Sequence, residues 1–105
     1  MERYDEIVTR NIQDIGEEAF PDDAVQWKVD RILASDNTVF AEVSPHPATV
    51  GYERFIFVLR FAEDRSYRMA CCYCKENGWS LLFSAPGEDK DWSLFLAKNG
   101  YDFAK

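Results

Sequence analysis

The sequence predicts an α+β domain: an N-terminal amphipathic helix packed on a four- to five-stranded antiparallel meander sheet, followed by a short C-terminal helix. Three observations carry that expectation. Between Tyr52 and Ala85, apolar residues alternate at period two in successive runs: Phe55, Phe57, Leu59 and Phe61; Tyr67, Met69, Cys71 and Tyr73; Trp79, Leu81, Phe83 and Ala85. The segments between these runs, Glu63-Asp64-Arg65 and Glu76-Asn77-Gly78, suit short hairpin loops, with Gly78 at the left-handed position of a bulge. Ahead of them, Tyr4, Ile7, Val8, Ile12, Ile15 and Ala19 recur at helical spacing among charged and amide residues, which makes a stripe that needs a surface to cover it.

The helix opens the chain. Gly16 weakens its last turns, and Pro21 ends it by Phe20. From Ala24 to Ser44 two readings compete. Asp23 followed by Gln26 resembles a capping box, and Val25, Val29, Ile32 and Leu33 share a helical stripe. Against this, Val25, Trp27 and Val29 alternate with Gln26, Lys28 and Asp30, Ser35-Asp36-Asn37 has the composition of a turn, and Thr38 to Val43 is β-rich. A hairpin about Asp36-Asn37 also sets Arg31 opposite Glu42, a favourable cross-strand pair, so the strand is the reading we adopt.

The later hairpins set the register. With Lys75 opposite Trp79, Tyr73 faces Leu81, Cys71 faces Phe83 and Met69 faces Ala85. Across the preceding loop, Phe61 faces Tyr67, Leu59 faces Met69, Phe57 faces Cys71 and Phe55 faces Tyr73. Both hairpins put the large apolar groups on one face, the natural bed for the helix. Near the end of the chain, Asp91 can cap a short helix through Trp92, Leu94, Phe95 and Leu96, with Asn99-Gly100 as its stop. Alternation of Trp92, Leu94 and Leu96 is also compatible with a strand.

On this register the opposite face carries Arg54, Ile56, Val58 and Arg60, then Arg68, Ala70, Cys72 and Cys74, then Ser80, Leu82 and Ser84. The plain expectation is a solvated face on which arginine stems cover small apolar groups. The sharper one is a binding surface, an apolar patch rimmed by Arg54, Arg60 and Arg68 that suits a partner or an anionic ligand.

Composition bounds the class. At 105 residues the chain is long enough for one domain with its own core. A hydrophobic fraction of 47% and an aromatic fraction of 15% exclude a disordered polymer. The net charge of −7 argues against nucleic acid and anionic membranes as partners, because both attract basic surfaces. Residues Met1 to Glu6 lack the apolar core of a signal peptide, and no stretch reaches the roughly 20 apolar residues that span a bilayer, so a cytoplasmic protein is expected.

Chemical signatures are sparse. Cys71, Cys72 and Cys74 crowd one strand and form no disulfide framework. Alternation sends Cys71 inward and the other two to the opposite face; Cys72, Cys74 and His46 make a poor zinc set beside the plainer role of small buried hydrophobes. His46 sits in a loop, Ser44 to Gly51, stiffened by Pro45 and Pro47, where a histidine can serve as a general base only with an orienting carboxylate and a nucleophile. Phosphate-binding glycine loops, HExxH helices, nucleophile elbows and EF-hand loops are missing from the sequence, and no cofactor or metal is implied. The acidic runs Glu17-Glu18, Asp22-Asp23 and Glu88 to Asp91 read as solvated surface or as steering charge for a basic partner.

A helix followed by an antiparallel meander resembles the cystatin-like sheets that wrap a helix; the resemblance is topological and implies no activity. Two functions remain in view. The first is a noncatalytic, acidic protein-interaction or inhibitory module, of which neutralising a basic toxin or nuclease is one form. The second is a small-ligand pocket or minor enzyme between the curved sheet and the first helix, with His46, Tyr52 and Arg54 near one end.

Overall fold

Helix α1 (Tyr4–Ala19) begins with Asp5 and Glu6 in its first turn, where carboxylates meet the positive end of the helix dipole. In the computed structural model, which describes residues 3–22, 24–47, 53–61, 66–88 and 90–103, it is followed by β1 (Gln26–Ser35), β2 (Thr38–His46), β3 (Arg54–Phe61), β4 (Tyr67–Lys75), β5 (Trp79–Ser84) and α2 (Ser93–Lys98). The five strands form one antiparallel sheet in the order β1-β2-β3-β4-β5, so every strand pairs with its neighbour in sequence. The segment that two readings contested is therefore an edge strand, from Gln26 onward, and Arg31 does lie opposite Glu42.

The stripe of α1 buries Ile7, Val8, Ile12 and Ile15 in one core with Trp27 of β1, Val39, Ala41 and Val43 of β2, and Phe55, Phe57 and Leu59 of β3. Gly16 has a purpose that helix propensity alone would not suggest. A β-carbon there would overlap the Trp27 indole, so the glycine lets β1 and α1 approach closely. Gln13 joins the same two elements: its amide nitrogen donates to the Val25 carbonyl at 2.9 Å and its oxygen accepts the Trp27 backbone N–H at 2.8 Å. That side chain occupies backbone groups on the free edge of β1.

Two bulges correct the predicted register. Between β3 and β4 the pairs Phe61↔Tyr67 and Leu59↔Met69 hold as expected, but Val58 then faces Cys71, leaving Ala70 as an extra residue. Phe57 and Phe55 consequently face Cys72 and Cys74. The cysteine assignment is thereby reversed: Cys72 and Cys74 lie under α1, and Cys71 and Tyr73 lie on the other face. Between β4 and β5, Lys75↔Trp79 and Tyr73↔Leu81 hold, and Leu82 is then the extra residue, so Cys72 faces Phe83. Trp79 thus belongs to the second face, while Leu82 and Phe83 pack toward α1. Asn77 and Gly78 both take positive φ in this hairpin, as a tight loop requires.

The second face is not a wet one, which is the larger correction. Residues 90–103, including α2, lie across it, and Trp92, Leu96 and Tyr101 close a second core over Phe40, Ile56, Val58, Ala70 and Tyr73. Val58 is as fully buried as Phe57, both at 0% exposure. Asp91 accepts the Ser93 N–H at 2.9 Å and starts the helix, and Gly100, at φ +98, ends it. The physical reason for the miss is that the aromatic C-terminal segment had apolar surface of its own to bury, and this face was the one left uncovered by α1.

Candidate functional site

The arginines expected to rim an open patch are held by carboxylates of the chain itself. Glu88 accepts from Arg60 Nε at 2.8 Å and also pairs with Arg68, so one nearly buried carboxylate joins β3 and β4 at the sheet's end. These contacts, the Arg60 hydrogen bond foremost, hold the Glu88 carboxyl below its ordinary range. Arg54 donates to Glu42 Oε2 at 2.7 Å, and that bond raises the arginine's own pKa. Ile56, Val58 and Ala70, which the arginines were to surround, are buried beneath the C-terminal segment.

Glu42 anchors this cover. Its Oε1 accepts the Tyr101 hydroxyl at 2.8 Å in a buried position. Arg31 lies over the Tyr101 ring, 5.3 Å from its centroid, and donates to the Asn99 carbonyl at 2.7 Å. The Trp92 N–H donates to the Tyr73 hydroxyl at 3.0 Å, and the Trp79 N–H to the Asp102 carbonyl at 2.8 Å. Burial, reinforced by the Glu42 bond, pushes the Tyr101 phenol up to about 12.

His46 lies elsewhere, exposed at the end of β2 beside a wide depression shared with Gln13 and Glu17. Its Nε2 is 3.4 Å from Ser44 Oγ, and no carboxylate among the described residues hydrogen-bonds the ring to orient it. Tyr52 and the Glu63-Asp64-Arg65 loop fall outside the described residues. The four described candidates are therefore not one constellation: Arg60 and Arg68 meet at Glu88, Arg54 meets Glu42, and His46 is at the helix side. The three cysteines are free thiols; burial raises Cys71 to about 11, lifts Cys72 well above its usual value and raises Cys74. Among the described residues, no three His, Cys, Asp or Glu side chains gather as a metal site. None of the described helices is long and apolar enough to cross a membrane.

A hollow of about 330 Å³ lies beside Arg60 and Arg68, and a second concave feature lies between the sheet and α1, where a pocket was expected, but away from His46 and Arg54. Helix α1 lies over β1 and β2, so its cover thins toward β4 and β5. There Tyr67, Met69, Leu82 and Phe83 are only half-buried. A groove of about 400 Å³ runs between the second half of α1 and these strands, with Ile15, Ala19, Leu59, Tyr67, Met69 and Phe83 as its lining, Glu18 on its helix rim and Arg68, already paired with Glu88, on its strand rim. Burial raises the Tyr67 phenol, and the nearby charges of Glu18 and Asp14 raise it further; Asp14 sits one turn back on α1, outside the groove's lining. Neither Asp14 nor Glu18 has a cation partner among the described residues. For the groove's position the only sequence signal was the spacing of Asp14 and Glu18, four apart and hence neighbours on the helix surface.

Comparison of the chain with protein-family models, curated proteins and solved structures finds no match.

Proposed function

We propose that the protein is an acidic interaction module that binds a basic segment of another protein in the groove between α1 and β4–β5, without chemistry of its own. The supporting observation is the combination of a half-buried apolar floor with an exposed carboxylate on the helix rim, Glu18, which has no cation partner among the described residues, while the cation of the lining, Arg68, is already paired with Glu88. Apolar surface left accessible beside charge is the usual composition of a docking patch, in which the floor supplies affinity and the rim selects the sign of the partner. The net charge of −7 works in the same direction by drawing cationic partners over longer range. Where the bound segment belongs to the partner's working surface, occupancy of the groove inhibits that partner, which is the toxin-neutralising form of this role.

A second reading has one observation in its favour. The groove's volume of about 400 Å³ lies in the range that small ligands fill, and its chemistry suits an amphipathic molecule with a cationic end. Selection of random displayed peptides on the immobilised chain tests the first reading. Enrichment of Lys- and Arg-flanked apolar sequences that bind the wild type and not Glu18→Lys supports it. Failure to enrich, acidic consensus sequences, or equal binding to Glu18→Lys overturns it and leaves the small-ligand reading, which a screen of amphipathic amines by thermal shift then examines.

A further inference from the structure

The two edges of the sheet are treated differently. On β1, Lys28, Asp30 and Arg31 place charge along the strand, Asp30 forms a bulge, and the Gln13 side chain occupies the backbone groups of Val25 and Trp27. Each of these devices stops a foreign strand from pairing there. On β5, Trp-Ser-Leu-Leu-Phe-Ser from Trp79 to Ser84 contains no charged residue. Its first residue is occupied, since Trp79 bridges to Phe103 and donates to Asp102. From Ser80 to Ser84, no described segment pairs with the outer edge.

The side chains on that stretch have the character of an interior strand. Leu81, on the second face, is 54% exposed. Leu82 and Phe83, turned toward α1 by the bulge, are half-buried, and Phe83 is at once a β5 residue and part of the groove lining. Apolar groups on both faces of a terminal strand gain cover from a neighbour laid alongside, because that neighbour's alternate side chains fall on both faces as well.

Building on the groove reading, we propose that the partner segment is extended and joins the sheet as a sixth strand on the outer edge of β5, between Ser80 and Ser84. Backbone hydrogen bonds along the edge supply much of the affinity. Apolar side chains of the segment cover Leu81 on one face and reach the groove beside Phe83 on the other, and Lys or Arg side chains at its end meet Glu18 and Asp14. A second copy of this chain is the poorer occupant, because it brings another −7 of charge to the same edge.

The test uses a short capped peptide of alternating valine and leucine with a pair of lysines at each end, together with versions that are N-methylated at alternate backbone nitrogens or carry glutamate in place of lysine. Binding to the full chain is followed by amide NMR and hydrogen exchange. The lysine peptide is expected to bind, to slow exchange of the β5 amides by about tenfold or more, to lose about tenfold in affinity when the edge-facing nitrogens are methylated, and to lose a similar amount against Glu18→Lys. Phe83→Arg serves as a second variant; Glu18→Lys, being exposed, leaves the fold intact. Binding that responds to Glu18→Lys but is indifferent to N-methylation overturns strand addition and leaves the groove reading standing. Binding indifferent to both, or equal for the glutamate peptide, overturns both. Protection of β5 that rises with protein concentration in the absence of peptide assigns the edge to self-association and overturns the choice of occupant.

Discussion

Replacing Tyr101 with phenylalanine removes a single oxygen from the segment that covers the second face. Glu42 beneath it is 7% exposed, with Oε1 on the Tyr101 hydroxyl and Oε2 on Arg54. Arg54 continues to neutralise the carboxylate in the variant, so the loss is one charge-assisted hydrogen bond and not the larger penalty of a bare buried charge. That amounts to about 1.5–3 kcal/mol. With an unfolding entropy of roughly 2.1 cal/mol/K per residue over 105 residues, a loss of about 2 kcal/mol lowers Tm by about 9 °C. Urea unfolding followed through tryptophan fluorescence reads the same quantity, because Trp79 and Trp92 both lie in the second core; the slope m is expected to stay at the wild-type value. In a Glu42→Gln background the tyrosine change should cost about half as much, since a neutral acceptor makes a bond roughly half as strong. A loss below about 0.5 kcal/mol in the wild-type background, the scale of an ordinary surface change, would refute the buried bond and with it the account of how residues 90–103 are held down.

Two further outcomes follow from the same packing. Phe57→Ala is expected to cost about 3–5 kcal/mol and Val58→Ala about 2 kcal/mol in urea melts, whereas a solvated Val58 would give less than about 0.5 kcal/mol; the smaller value would return the second face to solvent. Burial raises Cys71 from 9 to about 11 and both Tyr73 and Tyr101 from 10 to about 12. A folded pKa above the unfolded one gives stability that is complete below the unfolded value and is lost as pH rises through the folded one. Stability is therefore expected to hold up to pH 9, to decline as Cys71 titrates and to fall more steeply between pH 10 and 12; a flat denaturation midpoint up to pH 11 would refute the burial of these groups.

The helix, the β1 strand reading and both ends of α2 were legible because each rests on local chemistry: a stripe at helical spacing, alternation about Trp27, an Asp91 cap and a Gly100 stop. The reversal along β4 was not legible, because the residues at the bulge say little about direction. Ala70, Cys71, Cys72 and Cys74 are all small and apolar, so either face accepts them, and no glycine or proline marks the extra residue. For the second face a signal did exist. Residues 55–59 of β3 are apolar without interruption, the mark of a strand covered on both sides, and Trp92, Phe95, Leu96 and Tyr101 needed somewhere to go. The arginines drew attention because they were clustered; their carboxylates, Glu42 and Glu88, lie 12 or more residues away in sequence. A hollow between sheet and helix was expected, but its position over β4 and β5 was hidden for a different reason. It exists because α1 lies nearer β1 than β5, and that offset depends on Gly16 admitting Trp27, a contact between two side-chain shapes that no spacing rule encodes.

The uncharged edge of β5 also governs how the protein behaves as a colloid. An edge strand without its own lysines or aspartates relies on charge elsewhere on the molecule to keep copies apart. At neutral pH the charge of −7 supplies that repulsion, although salt confines it to roughly a Debye length, about 8 Å at physiological ionic strength. As pH falls toward the isoelectric point near 4.6, the repulsion vanishes while the edge and its leucines are unchanged. The solubility minimum of this protein is thus expected to be a minimum of strand-to-strand protection as well, with precipitates formed there enriched in intermolecular sheet. An edge that no described segment pairs from Ser80 to Ser84 leaves the molecule dependent on its overall charge to exclude foreign strands.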